Sequence, residues 1–285
     1  MQKNDLTLLT DLYQLTMMQG YQEKGLQKKI VVFDLFYRKN PSGNGYAIAA
    51  GLEQAIAYIN QLRFSKQDID YLKSLDIFSF FFIDYLKDFR FTGEIYAIPE
   101  GTVVFPHEPL MRIKAPIMEA QLIETALLNI INHQSLIATK TRRIVNQAKN
   151  CPVMEFGARR AHGADAAILG ARAAIIGGAV GTSCTISAQN FDVPASGTMA
   201  HSWIQSFDSE YEAFKAYAEI YSTGCTFLID TYNTLESGLP NAIKVFDEIL
   251  KPQGIRPVAV RLDSGDLAYL SKEVRKRLDK AGYSD

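Results

Sequence analysis

The sequence has few of the residues that build disulfide frameworks, metal clusters and highly charged surfaces. Its 285 residues include three cysteines and four histidines, and its formal net charge at pH 7 is −1. Cys151, Cys184 and Cys225 are widely spaced and odd in number, which suits reduced thiols in the cytosol better than disulfides or a zinc site. A net charge near zero predicts no general attraction to nucleic acid or to an anionic membrane, so any anion site must be built locally.

Long apolar runs are also missing. The most apolar short run, Ile77 to Ile83, is far too short to span a bilayer. The start of the chain carries Asp5 and Asp11 and has no continuous apolar segment, so we expect no signal peptide. Hydrophobic residues make up 47% of the chain and charged residues 21%, which is typical of a soluble globular enzyme. The sequence therefore predicts a cytoplasmic protein.

The first part of the chain mixes strand and helix patterns. Lys29 to Arg38 is rich in β-branched and aromatic residues and predicts a strand, and Glu94 to Arg112 predicts short strands broken by turns that contain proline. From Ile117 to about Val145, apolar residues recur at three- and four-residue spacing, which predicts a helix. We expect residues 1–135 to form an N-terminal α/β module that contains a β-rich segment.

After Cys151, apolar runs end in polar, glycine-rich turns, and helical stretches follow most of them. Three such runs are Val153–Phe156, Thr226–Ile229 and Val258–Arg261. Repeated β-then-α units predict a parallel sheet, either a barrel or a doubly wound fold, with the chemistry at the carboxyl ends of the strands. We expect a second α/β domain at residues 136–285, with its functional residues just after each run.

The strongest local motif is VRLDSGDL, residues 260–267. Arg261 and Asp263 end a predicted strand. Ser264 and Gly265 open a predicted helix, whose free N–H groups and positive dipole end favour an anion. Asp263 is suited to accept hydrogen bonds from ribose hydroxyls or to coordinate Mg²⁺, a hard cation that prefers oxygen. A capped helix start with a turn glycine gives the same pattern, so the motif alone leaves both interpretations open.

A second motif, SGTMAHSW at residues 196–203, places His201 among small and polar residues, after Gly197 and Thr198. Small residues let a ligand approach the backbone closely, and an imidazole there can act as an acid, a base or a phosphoryl acceptor. A lone histidine is more often a hydrogen-bonded structural group, and that alternative stays open.

A third motif, EFGARRAHG at residues 155–163, places Phe156 and Arg159 after a strand end. An aromatic face beside a guanidinium suits a flat aromatic carboxylate, through stacking and charge-assisted hydrogen bonds. A core phenylalanine beside surface arginines is the commoner explanation of such a segment. Arg38 lies beside a turn in FYRKNP. A basic side chain there either binds phosphate or is simply exposed to solvent.

Taken together, these segments resemble the nicotinate phosphoribosyltransferase family. The matching stretches occur in family order from residue 6 to residue 273, and their joint order is far more specific than any one of them. They are LTDLYQLTMMQGY, FDLFYRKNP, GYAIAAGLEQAI, FTGEIYAIPEGTVVFPHEPLMRI, SLIATKTRR, MEFGARRAHG, SGTMAHSW, DTYNTLESGLPNA and VRLDSGDLAYLSKE.

The resemblance implies an N-terminal α/β module followed by an irregular α/β barrel of the type II phosphoribosyltransferase kind. It implies transfer of phosphoribosyl from phosphoribosyl pyrophosphate to nicotinate in NAD biosynthesis, with ATP hydrolysis acting through a phosphohistidine and with Mg²⁺ as cofactor. The catalytic residues that it implies are His201, as the phosphohistidine, and Asp263. The implied nicotinate-binding residues are Tyr13, Phe156, Arg159, Ser183, Thr198 and Arg261. The implied residues for phosphoribosyl pyrophosphate are Arg38, Lys140, Arg261, Asp263, Ser264 and Gly265.

The resemblance also implies a homodimer in which Tyr13 reaches the partner's site. Family members are considerably longer, and the later barrel strands, with their glycine-rich site for the 5′-phosphate, would follow Asp285. For these 285 residues alone we expect an incomplete barrel of poor solubility that makes no nicotinate mononucleotide, because interrupted barrels expose strand edges.

Two alternatives remain at the level of the sequence. A nicotinamide phosphoribosyltransferase has the same fold, but such relatives place an aspartate at the position of Ser183 to accept hydrogen bonds from the carboxamide. An inactive fragment that only binds a ligand or a partner chain is the alternative from another class, and titration with phosphoribosyl pyrophosphate would distinguish it.

Overall fold

The computed structural model describes residues 6–40, 43 and 45–284. Residues 1–5, on which the expected absence of a signal peptide partly rests, lie outside this range. The chain forms two compact units, Met1–Ser196 and Gly197–Asp285. The boundary expected at 135/136 falls inside the helix Glu124–Ala148, and a division into domains at that point stays a prediction.

Antiparallel strands form the sheet of the first unit. They are β1 (Ile30–Leu35), β2 (Ala47–Ile48), β3 (Glu94–Ala97), β4 (Val103–Val104) and β5 (Met111–Pro116). Three of them form a sheet in the order β1-β5-β3, and β2 pairs with β4. Successive residues of β5 alternate between buried and exposed, as expected of a strand with one face on the core. The strands predicted at Lys29 to Arg38 and at Glu94 to Arg112 are confirmed.

Six helices pack with these strands. They are α1 (Leu12–Glu23), α2 (Leu52–Gln61), α3 (Lys66–Ser74), α4 (Phe80–Lys87), α5 (Ile117–Leu122) and α6 (Glu124–Ala148). Met18, Phe82 and Leu86 are fully buried members of one core that these helices share with the sheet. The helix predicted from Ile117 to Val145 is confirmed, with a break at Ile123 between α5 and α6.

A partly buried ion pair stabilises the start of α2. Glu100 accepts the backbone N–H of Gly51 at 2.6 Å and that of Leu52 at 3.2 Å, and Arg172 donates to its other oxygen at 2.7 Å. Gly51 has φ +104°, and a Cβ there would lie 2.9 Å from the carbonyl oxygen of Ile130. The turn before α2 therefore requires both the glycine and the carboxylate.

The remaining part of the first unit changes to parallel pairing. Its elements are β6 (Met154–Glu155), α7 (Ala164–Ile176), β7 (Gly181–Thr182) and α8 (Thr185–Phe191). Glu155 pairs with Thr182 in the parallel β6–β7 ladder, and Thr182 also forms a parallel bridge with Ala195. Three chain segments thus present their carboxyl ends at the same edge.

The second unit repeats the parallel arrangement. Its elements are α9 (His201–Gln205), α10 (Glu210–Ile220), β8 (Thr226–Leu228), α11 (Leu239–Val245), β9 (Ala259–Arg261) and α12 (Leu267–Lys280). β8 and β9 are parallel neighbours. The rings of Phe214, Phe227 and Phe246 stack in sequence at centroid distances of 4.9 and 5.3 Å and form the centre of this unit's core. Gly282 follows the C-cap Ala281 of α12 with φ +90°, the left-handed conformation in which many helices end.

Both units therefore contain strands that alternate with helices, and the predicted α/β class is confirmed. Within the described residues, no helix is both long enough and apolar enough to cross a membrane.

Candidate active site at the ends of the parallel strands

His201 is the first residue of α9, and polar groups from three other positions surround its imidazole. Nδ1 lies 3.2 Å from Oγ1 of Thr231 and 4.0 Å from Oδ1 of Asp230. Nε2 lies 3.6 Å from Oδ2 of Asp263. The His201 side chain is 39% exposed, so a ligand from solvent can reach it. The histidine thus lies between two carboxylates at the carboxyl ends of β8 and β9.

Asp230 is the buried member of this group. Its side chain is 2% exposed, and Oδ2 accepts the backbone N–H of Asp263 at 2.8 Å and the hydroxyl of Ser264 at 2.7 Å. Oδ1 is buried and has no hydrogen-bond partner among the described residues. An unpartnered buried carboxylate oxygen is costly, so this atom is suited to accept a hydrogen bond or to coordinate a cation.

Arg261 connects two further predicted residues. One guanidinium nitrogen donates to Oγ1 of Thr198 at 2.7 Å, and another donates to Oδ1 of Asp263 at 2.7 Å. Arg261 is the last residue of β9 and its side chain is 24% exposed. The structure therefore brings Thr198, His201, Arg261, Asp263 and Ser264 together within the second unit, as the strand-end argument predicts.

α12 begins at Leu267, directly after the turn of the VRLDSGDL motif. Its N-cap is Asp266, whose carboxylate accepts the backbone N–H of Tyr269 at 3.0 Å, so Ser264 and Gly265 lie in the turn that leads into the helix. Gly265 has φ +79°, in the left-handed region that favours glycine. An acidic cap at the helix end disfavours a bound anion there, so Arg261 and the backbone of the 263–265 turn are better placed for phosphate than the helix terminus is.

The first unit holds several of the residues that the resemblance assigns to nicotinate. Phe156 follows β6 and is 38% exposed, and Arg159 is exposed in the short 3₁₀ turn Ala158–Arg160. Ser183 follows β7, and its backbone N–H donates to the carbonyl of Glu155 at 3.0 Å. Phe156, Arg159 and Ser183 thus come from the adjacent carboxyl ends of two paired strands.

The other predicted residues of this unit lie on separate elements. Tyr13 is exposed on α1, and its hydroxyl donates to Glu124 at 3.3 Å. The pKa of Tyr13 is raised, first by partial burial and then by the charge and hydrogen bond of Glu124. Arg38 lines a groove of about 480 Å³ together with Phe36 and Leu128. Lys140 is exposed on α6.

Over residues 6–40, 43 and 45–284, no group of three or more His, Cys, Asp or Glu side chains is arranged to hold a metal ion.

Two family models match almost the whole chain. Residues 8–132 match the nicotinate phosphoribosyltransferase (NAPRTase) N-terminal domain, and residues 151–281 match the NAPRTase family. The chain belongs to the nicotinate phosphoribosyltransferase family.

Relatives in this family include a nicotinate phosphoribosyltransferase of Bacillus subtilis, 50% identical over 99% of this chain and 57% of its own length. The Mycobacterium tuberculosis nicotinate phosphoribosyltransferase pncB2 is 47% identical over 96% of this chain and 58% of its own. The crystal structure of human nicotinic acid phosphoribosyltransferase matches with a TM-score of 0.87 at 32% identity, covering 96% of this chain and 64% of that chain. This chain therefore spans somewhat more than half the length of its curated nicotinate phosphoribosyltransferase relatives.

Sequence reasoning assigned no role to Asp230 or Thr231. Both follow the apolar run Thr226–Ile229 directly, at the position where functional residues were expected. No local pattern favours these two residues, because aspartate and threonine are also common in turns and caps. The signal that identifies Asp230 is its burial with one unpartnered oxygen, which exists only in three dimensions.

Proposed function

We propose that this protein transfers phosphoribosyl from phosphoribosyl pyrophosphate to nicotinate, giving nicotinate mononucleotide and pyrophosphate for NAD synthesis. The observation that carries the proposal is the cluster of His201, Asp230, Arg261 and Asp263 at the ends of two parallel strands, in a chain 50% identical to a nicotinate phosphoribosyltransferase.

Nicotinate is a flat ring with one carboxylate. In the first unit, Phe156 offers a half-exposed aromatic face for stacking, and Arg159 offers a guanidinium group for the carboxylate. Ser183 adds a hydroxyl without negative charge. This donor-rich set favours the acid over the amide, because a buried carboxylate needs compensating charge.

Phosphoribosyl transfer breaks the C1–pyrophosphate bond and develops oxocarbenium character on the ribose, as other glycosyl transfers do. Asp263 is placed to accept the ribose hydroxyls, and Arg261 to neutralise charge on the leaving pyrophosphate. Ser264, Gly265, Arg38 and Lys140 are the remaining candidates for phosphate contacts.

Mg²⁺ fits the chemistry of this site. The carboxylates of Asp263 and Asp230 and the hydroxyl of Ser264 supply hard oxygen ligands, and one oxygen of Asp230 has no hydrogen-bond partner among the described residues. Bound Mg²⁺ would supply charge neutralisation for pyrophosphate.

The surroundings of His201 support coupling to ATP hydrolysis. In the tautomer that donates its Nδ1 proton to Thr231, the imidazole has a lone pair on Nε2. That lone pair attacks the γ-phosphorus of ATP, ADP leaves, and the phosphohistidine is later hydrolysed to phosphate. The protein acts in the cytoplasm as a homodimer, with Tyr13 reaching the partner's site.

The test is to titrate nicotinate and nicotinamide into the protein in the presence of phosphoribosyl pyrophosphate and Mg²⁺, and to follow nicotinate mononucleotide by chromatography with and without ATP. We expect binding of nicotinate well above that of nicotinamide. Equal affinity for the two ligands, or preference for the amide, would contradict the proposal.

A further inference from the structure

Each carboxylate oxygen of Glu155 accepts a hydrogen bond at a different strand end. It is the last residue of β6, and its Oε2 accepts the hydroxyl of Thr182 on β7 at 2.6 Å. Its Oε1 accepts the backbone N–H of Gly157, within the turn that carries Phe156 and Arg159. Its own carbonyl accepts the N–H of Ser183. One residue thus contacts both segments that hold the candidate nicotinate residues of this unit.

The contact extends through a buried hydroxyl. Thr182 is fully buried, and while it donates to Glu155 its oxygen accepts the backbone N–H of Cys184 at 3.0 Å. Cys184 is the N-cap of α8, so the turn from Ser183 into that helix is fixed by the same chain of hydrogen bonds. Hydrogen bonds to a charged acceptor are the stronger ones, and linked bonds reinforce each other.

A carboxylate accepts both hydrogen bonds at once. The two donors are a hydroxyl and a backbone N–H, and each meets one charged oxygen. A glutamine that kept its oxygen on Gly157 would turn its NH₂ group toward Thr182, whose hydroxyl would then have to accept and would lose its own charged acceptor. The charge of Glu155 would also repel an anionic ligand, and the donors on both oxygens partly offset that charge.

We propose that Glu155 is a positioning residue that sets the spacing between Phe156 and Arg159 on one strand end and Ser183 on the next. The inference rests on the proposed function, because it assumes that nicotinate binds at these strand ends. Small displacements of positioning groups cost a large share of ligand recognition. Glu155 therefore acts on nicotinate affinity without contacting nicotinate.

The experiment compares wild type, Glu155→Gln, Thr182→Val and Thr182→Ser by isothermal titration with nicotinate and, separately, with phosphoribosyl pyrophosphate. Thr182→Val removes the hydroxyl that Glu155 accepts, while Thr182→Ser keeps it. We expect Glu155→Gln and Thr182→Val each to raise the Kd for nicotinate about tenfold, on the order of the loss of one charged hydrogen bond. Thr182→Ser should stay within about twofold of wild type. The Kd for phosphoribosyl pyrophosphate should change less than twofold in all three.

The double variant Glu155→Gln with Thr182→Val should be no weaker than either single variant, since both remove the same contact. Unchanged nicotinate affinity in Glu155→Gln, or equal losses for both ligands, overturns the inference. If Glu155→Gln does not fold, the comparison of Thr182→Val with Thr182→Ser tests the inference instead. Equal nicotinate affinity in these two variants overturns the inference. Absence of nicotinate binding in wild type refutes the proposed function itself, which separates the two failures.

Discussion

Asp230 accepts the backbone N–H of Asp263 at 2.8 Å, across 33 positions of sequence. The same carboxylate oxygen accepts the hydroxyl of Ser264, and the other oxygen lies 4.0 Å from His201. One buried aspartate therefore fixes the turn after β9 relative to the histidine on α9. The site in this unit depends on the pairing of β8 with β9, because that pairing brings these two aspartates together.

The first prediction concerns the phosphoryl acceptor. Incubation with Mg²⁺ and γ-labelled ATP should give an acid-labile, base-stable phosphoprotein, and His201→Ala should reduce the label to background, since the accepting nitrogen is gone. His162→Ala is the control, because His162 is an exposed histidine outside this cluster, and it should keep the full label. Undiminished labelling of His201→Ala would contradict the assignment.

The second prediction concerns substrate choice. Ser183→Asp should weaken nicotinate at least about tenfold, about 1.4 kcal/mol, through repulsion between two carboxylates. Ser183→Ala removes the hydroxyl without adding charge and should change the Kd far less. Calorimetric titration of both variants with nicotinate and nicotinamide measures the difference, and equal or tighter nicotinate binding by Ser183→Asp would count against the model of the site.

The third prediction concerns the close approach of Gly238 to β8. A Cβ at this fully packed glycine would lie 1.9 Å from the carbonyl oxygen of Ile229, next to Asp230. Gly238→Ala should therefore lower the free energy of unfolding by about 3 kcal/mol. Gly224→Ala is the matched control in the same unit, because nothing lies within 4 Å of a Cβ there. Denaturant unfolding followed by Trp203 fluorescence compares them, and equal midpoints would refute the packing argument.

The fourth prediction is a pH dependence centred on Glu100. Burial raises the pKa of Glu100, but hydrogen bonds from Arg172 and Gly51 lower it by more, so its net pKa lies below the ordinary value. A carboxyl with a depressed folded pKa stabilises the protein above its unfolded pKa of about 4.3, and this stabilisation is lost as pH falls through the folded value.

Glu100→Gln should accordingly lower the free energy of unfolding by about 2 kcal/mol at pH 7. The difference in the free energy of unfolding between wild type and Glu100→Gln should shrink as the pH falls below about 4. Glu94→Gln is the control, since Glu94 pairs with Lys114 at 3.6 Å on the surface, and exposed pairs contribute little. The argument would be refuted if the free energies of unfolding of wild type and Glu100→Gln differed by the same amount at pH 7 and at pH 3.

Local patterns predicted the elements of this fold well. The helix from Ile117, the strands near Lys29 and Glu94, and the β-then-α units after Cys151 all follow from periodicity and residue type, which act over a few residues. α12 begins at Leu267 with Asp266 as its N-cap, whereas Ser264, an equally good N-cap by residue type, donates its hydroxyl to Asp230 instead.

The residues that support the site were harder to predict. His201, Arg261 and Asp263 stand in motifs, whereas Asp230 and Glu155 act through partners 33 and 27 positions away. Their function depends on which strands pair and in which register, and neither property is encoded locally. The motif residues can therefore be identified from the sequence. The residues that position them, Asp230 and Glu155, cannot.

The order of the strands along the chain also has a consequence for biosynthesis. The sheet β1-β5-β3 is complete once residue 116 has been translated, whereas β8 and β9 pair only after residue 261. At about 5–20 residues per second, the ribosome needs a few seconds to add the residues between the end of β8 and the end of β9. We expect β8 to stay unpaired for that interval, so that the burial of Phe227 and Asp230 is completed only when β9 has been made.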